Sequence, residues 1–212
     1  MESNLRSLHG HTFRDCLPSC PVMIDLGANV GRFTAEFMAA YPGADVLLVE
    51  GDPLLVGTLA ERFSEQPRVR LFRGLVGGRS TPKHPFHLCR IPEGNSVIRD
   101  FSESWSPGES RQIEVEMLTL ADLLRLAAIE RVDLLKLDIE GAEWDVLEGF
   151  SSELSLAVDQ LTVEFHDFLD PSQRGRTEAC IARLEELGYA ADCRRTAHGH
   201  GSPYFDCCFY KP

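Results

Sequence analysis

Long apolar runs are missing from this 212-residue chain, and no stretch approaches the ~18 residues needed to cross a bilayer. Hydrophobic residues still make up 43% of the chain, the ordinary share for a globular protein with one sizeable core. Basic charge is short as well. Lysine and arginine total 21 against 33 acids, a formal net charge of −12. That balance argues against a partner recognised through nucleic-acid phosphates. The first residues lack the apolar centre of a secretory signal. Cysteines number seven, an odd and scattered set, which predicts mostly reduced thiols and a cytoplasmic protein. Internal repeats and extended low-complexity tracts are also absent. Neither a nucleic acid nor a membrane is the expected partner.

Residues 1–20 are expected to form an N-terminal arm, with one domain over 21–212. His9, His11, Cys16 and Cys20 carry zinc-ligand chemistry, but their spacing lacks tight C-x-x-C knuckles, so a loose arm is the preferred reading. Cys207 and Cys208 are adjacent in a final strand and should point to opposite faces as packing residues.

Strand and helix signals alternate along most of the chain, which predicts an α/β fold with a doubly wound, mainly parallel sheet. Strands are expected at Val22–Leu26, Asp45–Val49, Val69–Arg73, Gln112–Met117, Val132–Leu137, Leu161–Phe165, Tyr189–Arg194 and Tyr204–Tyr210. Helices are expected at Arg32–Ala40, Leu54–Phe63, Ala121–Ala127, Glu143–Gly149 and Pro171–Leu187. The second of these helices is opened by an Asp52 cap and Pro53 at its first position. Between Gly77 and Gly108 the Gly, Pro and Ser content predicts an irregular insertion holding one short strand, Phe86–Ile91.

Chemistry concentrates at the first strand–turn–helix unit, Val22-Met-Ile-Asp-Leu-Gly-Ala-Asn-Val-Gly31, and at Val46-Leu-Leu-Val-Glu50. A dinucleotide fingerprint in this frame would place glycines at 25 and 30, where Asp25 and Val30 stand instead. An acid at 25 would repel a pyrophosphate at the helix N-terminus. The same acid suits the ammonium of an S-adenosylmethionine tail, whose carboxylate can take N–H groups between Gly27 and Gly31, Asn29 among them. Glu50, closing the second strand, is placed for both ribose hydroxyls. Gly51 follows it, and Leu75 and Val76 are candidates to flank adenine.

These segments, together with Glu50-Gly-Asp-Pro53, Leu135-Lys-Leu-Asp-Ile-Glu-Gly-Ala-Glu143, Val146-Leu-Glu-Gly149 and Val163-Glu-Phe-His166, resemble the FkbM-type family of S-adenosylmethionine-dependent methyltransferases. The resemblance spans roughly residues 21 to 209. It implies a Rossmann-like class I methyltransferase fold, with a mainly parallel seven-stranded sheet and an antiparallel C-terminal strand. It also implies methylation of a hydroxyl on a sugar or natural-product intermediate. Three features depart from the family pattern: Gly51 in place of a proline, a shifted acid in Thr119-Leu-Ala-Asp122, and a short region ahead of residue 21.

Strand carboxyl ends carry the reaction in such sheets, and here they bring Asp138, Glu140, Glu164 and His166. His166 is the preferred general base, with Asp138 or Glu164 to orient it. Asp138 is also expected beside the transferred methyl group. Glu143 is as readily a helix-terminal charge as a site residue. A divalent cation held by Asp138, Glu164 and His166 is the competing, less favoured reading. Asn95-Ser96 match a Gly-Asn-Ser stretch of the family, as a contact or a turn. His198 and His200 stand in a glycine-bearing loop. N-methylation of a small molecule and a non-catalytic cofactor-binding module are the alternative functions.

Overall fold

A computed structural model describes residues 4–194 and 202–212; His198 and His200 lie outside the described residues. The chain opens with strands β1 (Leu5–Leu8) and β2 (His11–Arg14). It continues through β3 (Val22–Leu26), α1 (Arg32–Ala40), β4 (Asp45–Glu50), α2 (Pro53–Arg62), β5 (Val69–Arg73) and β6 (Leu75–Val76). Then come β7 (Thr81–Leu88), α3 (Arg99–Trp105), β8 (Arg111–Leu118), α4 (Leu120–Ala127), β9 (Leu134–Leu137) and α5 (Glu143–Glu148). The last elements are α6 (Ser152–Ala157), β10 (Gln160–Val163), α7 (Arg174–Glu186), β11 (Ala190–Arg194) and β12 (Asp206–Tyr210).

Seven strands form the central sheet in the order β11-β12-β10-β9-β3-β4-β5. Strands β3, β4, β5, β9 and β10 run parallel, whereas β12 lies antiparallel to both β10 and β11. This is the expected Rossmann-like methyltransferase arrangement. Alternation along the strands supplies both faces. Ile24 and Leu26 join Trp144, Leu147 and Leu123 on one side, and Met23 joins Phe33, Phe37 and Leu59 on the other. Buried Trp144 satisfies its indole by donating to Thr177 Oγ1 at 2.9 Å. Asp52 caps α2 through Leu54 N–H, with Pro53 at the first helical position, as the sequence predicts.

Four expectations change. The arm is a hairpin fastened to the domain: His9 and Gly10 take positive φ at its two-residue turn. Thr12 donates through N–H and Oγ1 to Asp206, and Arg14 N–H to Gln160 Oε1. Cys16 and Cys20 are exposed free thiols, and neither belongs to a ligand group among the described residues. The 77–108 insertion is ordered by pairing. Its β7 lies antiparallel to β8 as the edge of a three-stranded sheet, where Pro82 and Pro85 cost no ladder partner. Helix α6 follows Gly149, restarted by Ser151 accepting from Leu154 N–H.

The fourth change is Cys207, which bonds to its cross-strand partner Cys193 as a disulfide. Cys208 stays a buried free thiol on the opposite face, as the alternation predicts. No helix among the described residues is long and apolar enough to cross a membrane.

Candidate functional site

The carboxyl ends of β3, β4, β9 and β10 open into a cavity of about 430 Å³, which the insertion covers with Phe86, Asn95 and Trp105. Its floor is the turn after β3. Gly27 has φ +75°, and a Cβ there would stand 1.9 Å from the Asp138 carbonyl oxygen. The turn therefore passes directly against the end of β9, a course only glycine permits. Gly27→Ala should destabilise the fold by at least about 2 kcal/mol, from left-handed backbone cost plus the clash. Urea unfolding measures this, and an unchanged midpoint would contradict the close approach. Asn29 lines the cavity, but Gly31 does not. A Cβ on Gly31 would meet Phe63 and Leu59 at 2.6 and 2.8 Å, so its place is to let α1 lie on α2 rather than to touch a ligand.

Glu50 ends β4 facing the cavity, only 7% exposed. Its Oε2 accepts from Asn29 N–H at 2.9 Å and its Oε1 from Asp52 N–H at 2.8 Å. Burial outweighs these bonds and pushes its carboxyl up to about 7. Leu75 and Val76 line the cavity beside Gly51. A Cβ on Gly51 would come 2.5 Å from Leu75 Cδ2 and 3.0 Å from Phe86, which gives a packing reason for glycine here. Asn95 ties the insertion to this corner, donating to Asp52 Oδ2 and accepting from Cys89 N–H. Ser96 Oγ donates to the Glu140 carbonyl, joining the insertion to the loop after β9.

Asp25 departs from expectation. It is 0% exposed, does not line the cavity, and is engaged by Thr34 Oγ1 at 2.7 Å and Lys136 Nζ at 3.1 Å. Asp25 and Lys136 are register partners on adjacent parallel strands, so the acid meets a cation of the chain itself. Lys136 also donates to the Gly27 carbonyl and lies 3.2 Å from Asp138 Oδ2. Sequence reasoning passed over this lysine, although a lysine inside the apolar run Leu134–Leu137 needs a buried partner.

Beyond Lys136 the ends of β9 and β10 gather ionisable groups. His166 is 1% exposed, and its Nδ1 meets Glu143 Oε1 at 3.1 Å. Its Nε2 faces Glu140 Oε2 at 3.3 Å, Glu164 Oε1 at 3.6 Å and Asp138 Oδ1 at 3.8 Å. Glu143, rather than Asp138 or Glu164, thus orients the ring. Glu143 also accepts from the N–H groups of Ile139 and Gly141, which holds Glu140 in its left-handed φ of 50°. Burial opposes a charge on His166, yet Glu140 and Glu143 raise it well above an ordinary histidine. Burial and Asp138 push Glu164 up to about 9. Burial works against Asp138 too, but Lys136, His11 and His166 hold it well below the usual carboxylate range. His11, unforeseen here, is brought by the hairpin to 3.4 Å from Asp138 Oδ2 and is 3% exposed.

A family model described as the methyltransferase FkbM domain matches residues 25–191. Methyltransferase sdnD of Sordaria araneosa is 29% identical over 199 residues, covering 82% of this chain and 75% of its own length. The 2-O-methyltransferase NoeI of Sinorhizobium fredii is 28% identical over 146 residues, covering 64% of this chain and 59% of that protein. The crystal structure of methyltransferase FkbM from Methylobacillus flagellatus superposes with a TM-score of 0.58 at 16% identity, covering 91% of this chain and 44% of that one. This chain therefore spans less than half the length of that structure.

Proposed function

The chain belongs to the FkbM methyltransferase family, and from that premise we propose that it methylates a hydroxyl oxygen of a small molecule, using S-adenosylmethionine. When bound, that donor supplies an electrophilic methyl carbon on a sulfonium. The residues present fit it: a buried acceptor, Glu50, faces the cavity beside the glycine turn that approaches Asp138. Glu50 would take the ribose hydroxyls, Leu75 and Val76 would flank the adenine, and the Gly27–Asn29 turn beside Asp138 would take the amino-acid end. Asp25 acts at one remove, by fixing Lys136.

The observation that carries the choice of oxygen is the group formed by Asp138, Glu140, Glu164 and His166 on the wall of the same cavity. A hydroxyl acceptor must lose a proton as its oxygen attacks, and this cluster offers several groups to receive it. The 2-O-methyltransferase activity in NoeI's name supports the same acceptor class. A sugar or natural-product hydroxyl is the substrate we propose, and the chain's net charge of −12 favours neutral or cationic molecules over phosphorylated ones. Incubation of the protein with S-adenosylmethionine and a panel of hydroxylated sugars and polyketides, read by mass spectrometry, tests this. A methyl ether product supports it; methylation confined to nitrogen would contradict it.

Glu50 also sets a pH dependence. Its carboxylate form accepts two hydroxyls, so affinity for S-adenosylhomocysteine should be full above about pH 7. Below that it should fall, by up to about tenfold per pH unit. Stability of the ligand-free protein should run the other way. Glu50's folded-state pKa lies above the ordinary carboxylate value of 4.5, so its contribution is present at low pH and is lost as pH rises through about 7. Calorimetric titrations between pH 5.5 and 8 (about one unit either side of the buried Glu50 range) measure the first slope. A flat profile would contradict it.

A further inference from the structure

The bond from His166 Nδ1 to Glu143 fixes the imidazole and presents Nε2 to the cavity. Nε2 then stands 3.3 Å from Glu140 Oε2 and 3.8 Å from Asp138 Oδ1. Both separations exceed the roughly 2.7–2.9 Å of a charge-assisted hydrogen bond. Glu140 Oε2, shielded from solvent, has no hydrogen bond of good geometry, its neighbour being His166 Nε2 at that 3.3 Å. The ligating atoms of Asp138, Glu140 and His166 nevertheless lie within 4.8 Å of one another. Ligands each about 2.1 Å from a shared ion stand roughly 3–4 Å apart, as His166 Nε2 does from both carboxylates. The other Asp138 oxygen, Oδ2, is taken up by Lys136 at 3.2 Å and His11 at 3.4 Å, which directs Oδ1 to the group. A carboxylate on the far nitrogen of the imidazole is the support that metal-bound histidines characteristically have.

We infer that Asp138 Oδ1, Glu140 Oε2 and His166 Nε2 form a site for one divalent cation at the acceptor end of the cavity. One imidazole and two carboxylates, with coordination positions left open, suit manganese or ferrous iron better than the all-oxygen preference of calcium. Two carboxylates also balance the ion's charge. All three residues line the cavity, so a hydroxyl entering it can reach an open position, where a cation lowers the pKa of a bound oxygen. That role rests on the transfer reading above, whereas ion binding does not.

The test is a titration of chelator-stripped protein with Mn²⁺ alone, followed by electron paramagnetic resonance of the free ion, without donor or acceptor. One Mn²⁺ per chain is expected, bound at least about tenfold more weakly by Glu140→Gln and by Asp138→Asn. Thermal melts confirm that each variant is folded, and either folded variant suffices. Absence of binding up to millimolar Mn²⁺, or wild-type affinity in a folded variant, overturns the inference. S-adenosylhomocysteine binding, measured separately, keeps the two readings apart. Donor binding without Mn²⁺ binding removes this site alone; Mn²⁺ binding without donor binding supports the site and removes the transfer reading.

Discussion

Glu50→Ala should weaken S-adenosylhomocysteine binding by about a hundredfold, close to 3 kcal/mol for two hydrogen bonds to a charged acceptor. The expectation follows from where the side chain sits. Glu50 closes β4 on the cavity wall and is already held by the N–H groups of Asn29 and Asp52. Those two donors aim the carboxylate, while burial keeps its proton affinity high. Alanine removes the acceptor and leaves both backbone donors to water. Glu50→Gln keeps one acceptor oxygen and should fall between wild type and alanine. Calorimetry on both variants checks the order, and equal affinity across all three proteins would remove Glu50 from the cofactor site.

His166→Ala should act on the other half of the reaction. Once the pH is high enough to free the imidazole of the proton that Glu140 and Glu143 hold on it, proton transfer by this positioned group contributes about 10²–10⁴-fold, so kcat should drop by that factor. Donor affinity should change less than about threefold, because Glu50 and the Gly27 turn are untouched. The side chain is almost wholly buried and reaches Glu140, Glu143, Glu164 and Asp138. Its loss therefore leaves four acids without the imidazole that lies among them. A thermal melt must accompany the kinetics, since uncompensated buried charge also costs stability. Rate and donor affinity falling together by the same factor would show that His166 shapes the cofactor pocket instead.

Much of the fold was readable because its signals are local. Val22–Leu26 and Arg32–Ala40 have the predicted bounds, since a buried parallel strand and a glycine turn into a helix mark themselves by period and punctuation. Glu50 was readable by topology: the last residue of the second strand faces the crevice in any doubly wound sheet. What escaped depends on partners distant in sequence. The part of β7 ahead of the expected Phe86–Ile91 strand is stabilised by β8, about thirty residues later, and its prolines are accommodated because that pairing makes it an edge. The hairpin carrying His11 lacks a strong apolar alternation and is secured by Asp206, near the other end of the chain.

Asp25 shows the same limit inside the site. Its type and place at a strand end suggested an exposed grip on an ammonium group. Register instead sets it beside Lys136, and a buried pair satisfies itself before any ligand arrives. The lysine was visible in Leu135-Lys-Leu-Asp138, but only strand pairing says which acid it meets. Glu143 is the converse case. A charge near a helix start looked ordinary, yet it fixes both the Asp138–Gly141 loop and the ring of His166.

The central claim is that the pocket roofed by the 77–108 segment seats the nucleoside, its sugar hydroxyls on the acid that closes β4. A crystal structure with S-adenosylhomocysteine tests it most directly. Density should run from the Gly27 bend to Leu75, with both ribose oxygens within hydrogen-bonding reach of Glu50. Density seated elsewhere, or a ribose turned away from Glu50, would contradict it.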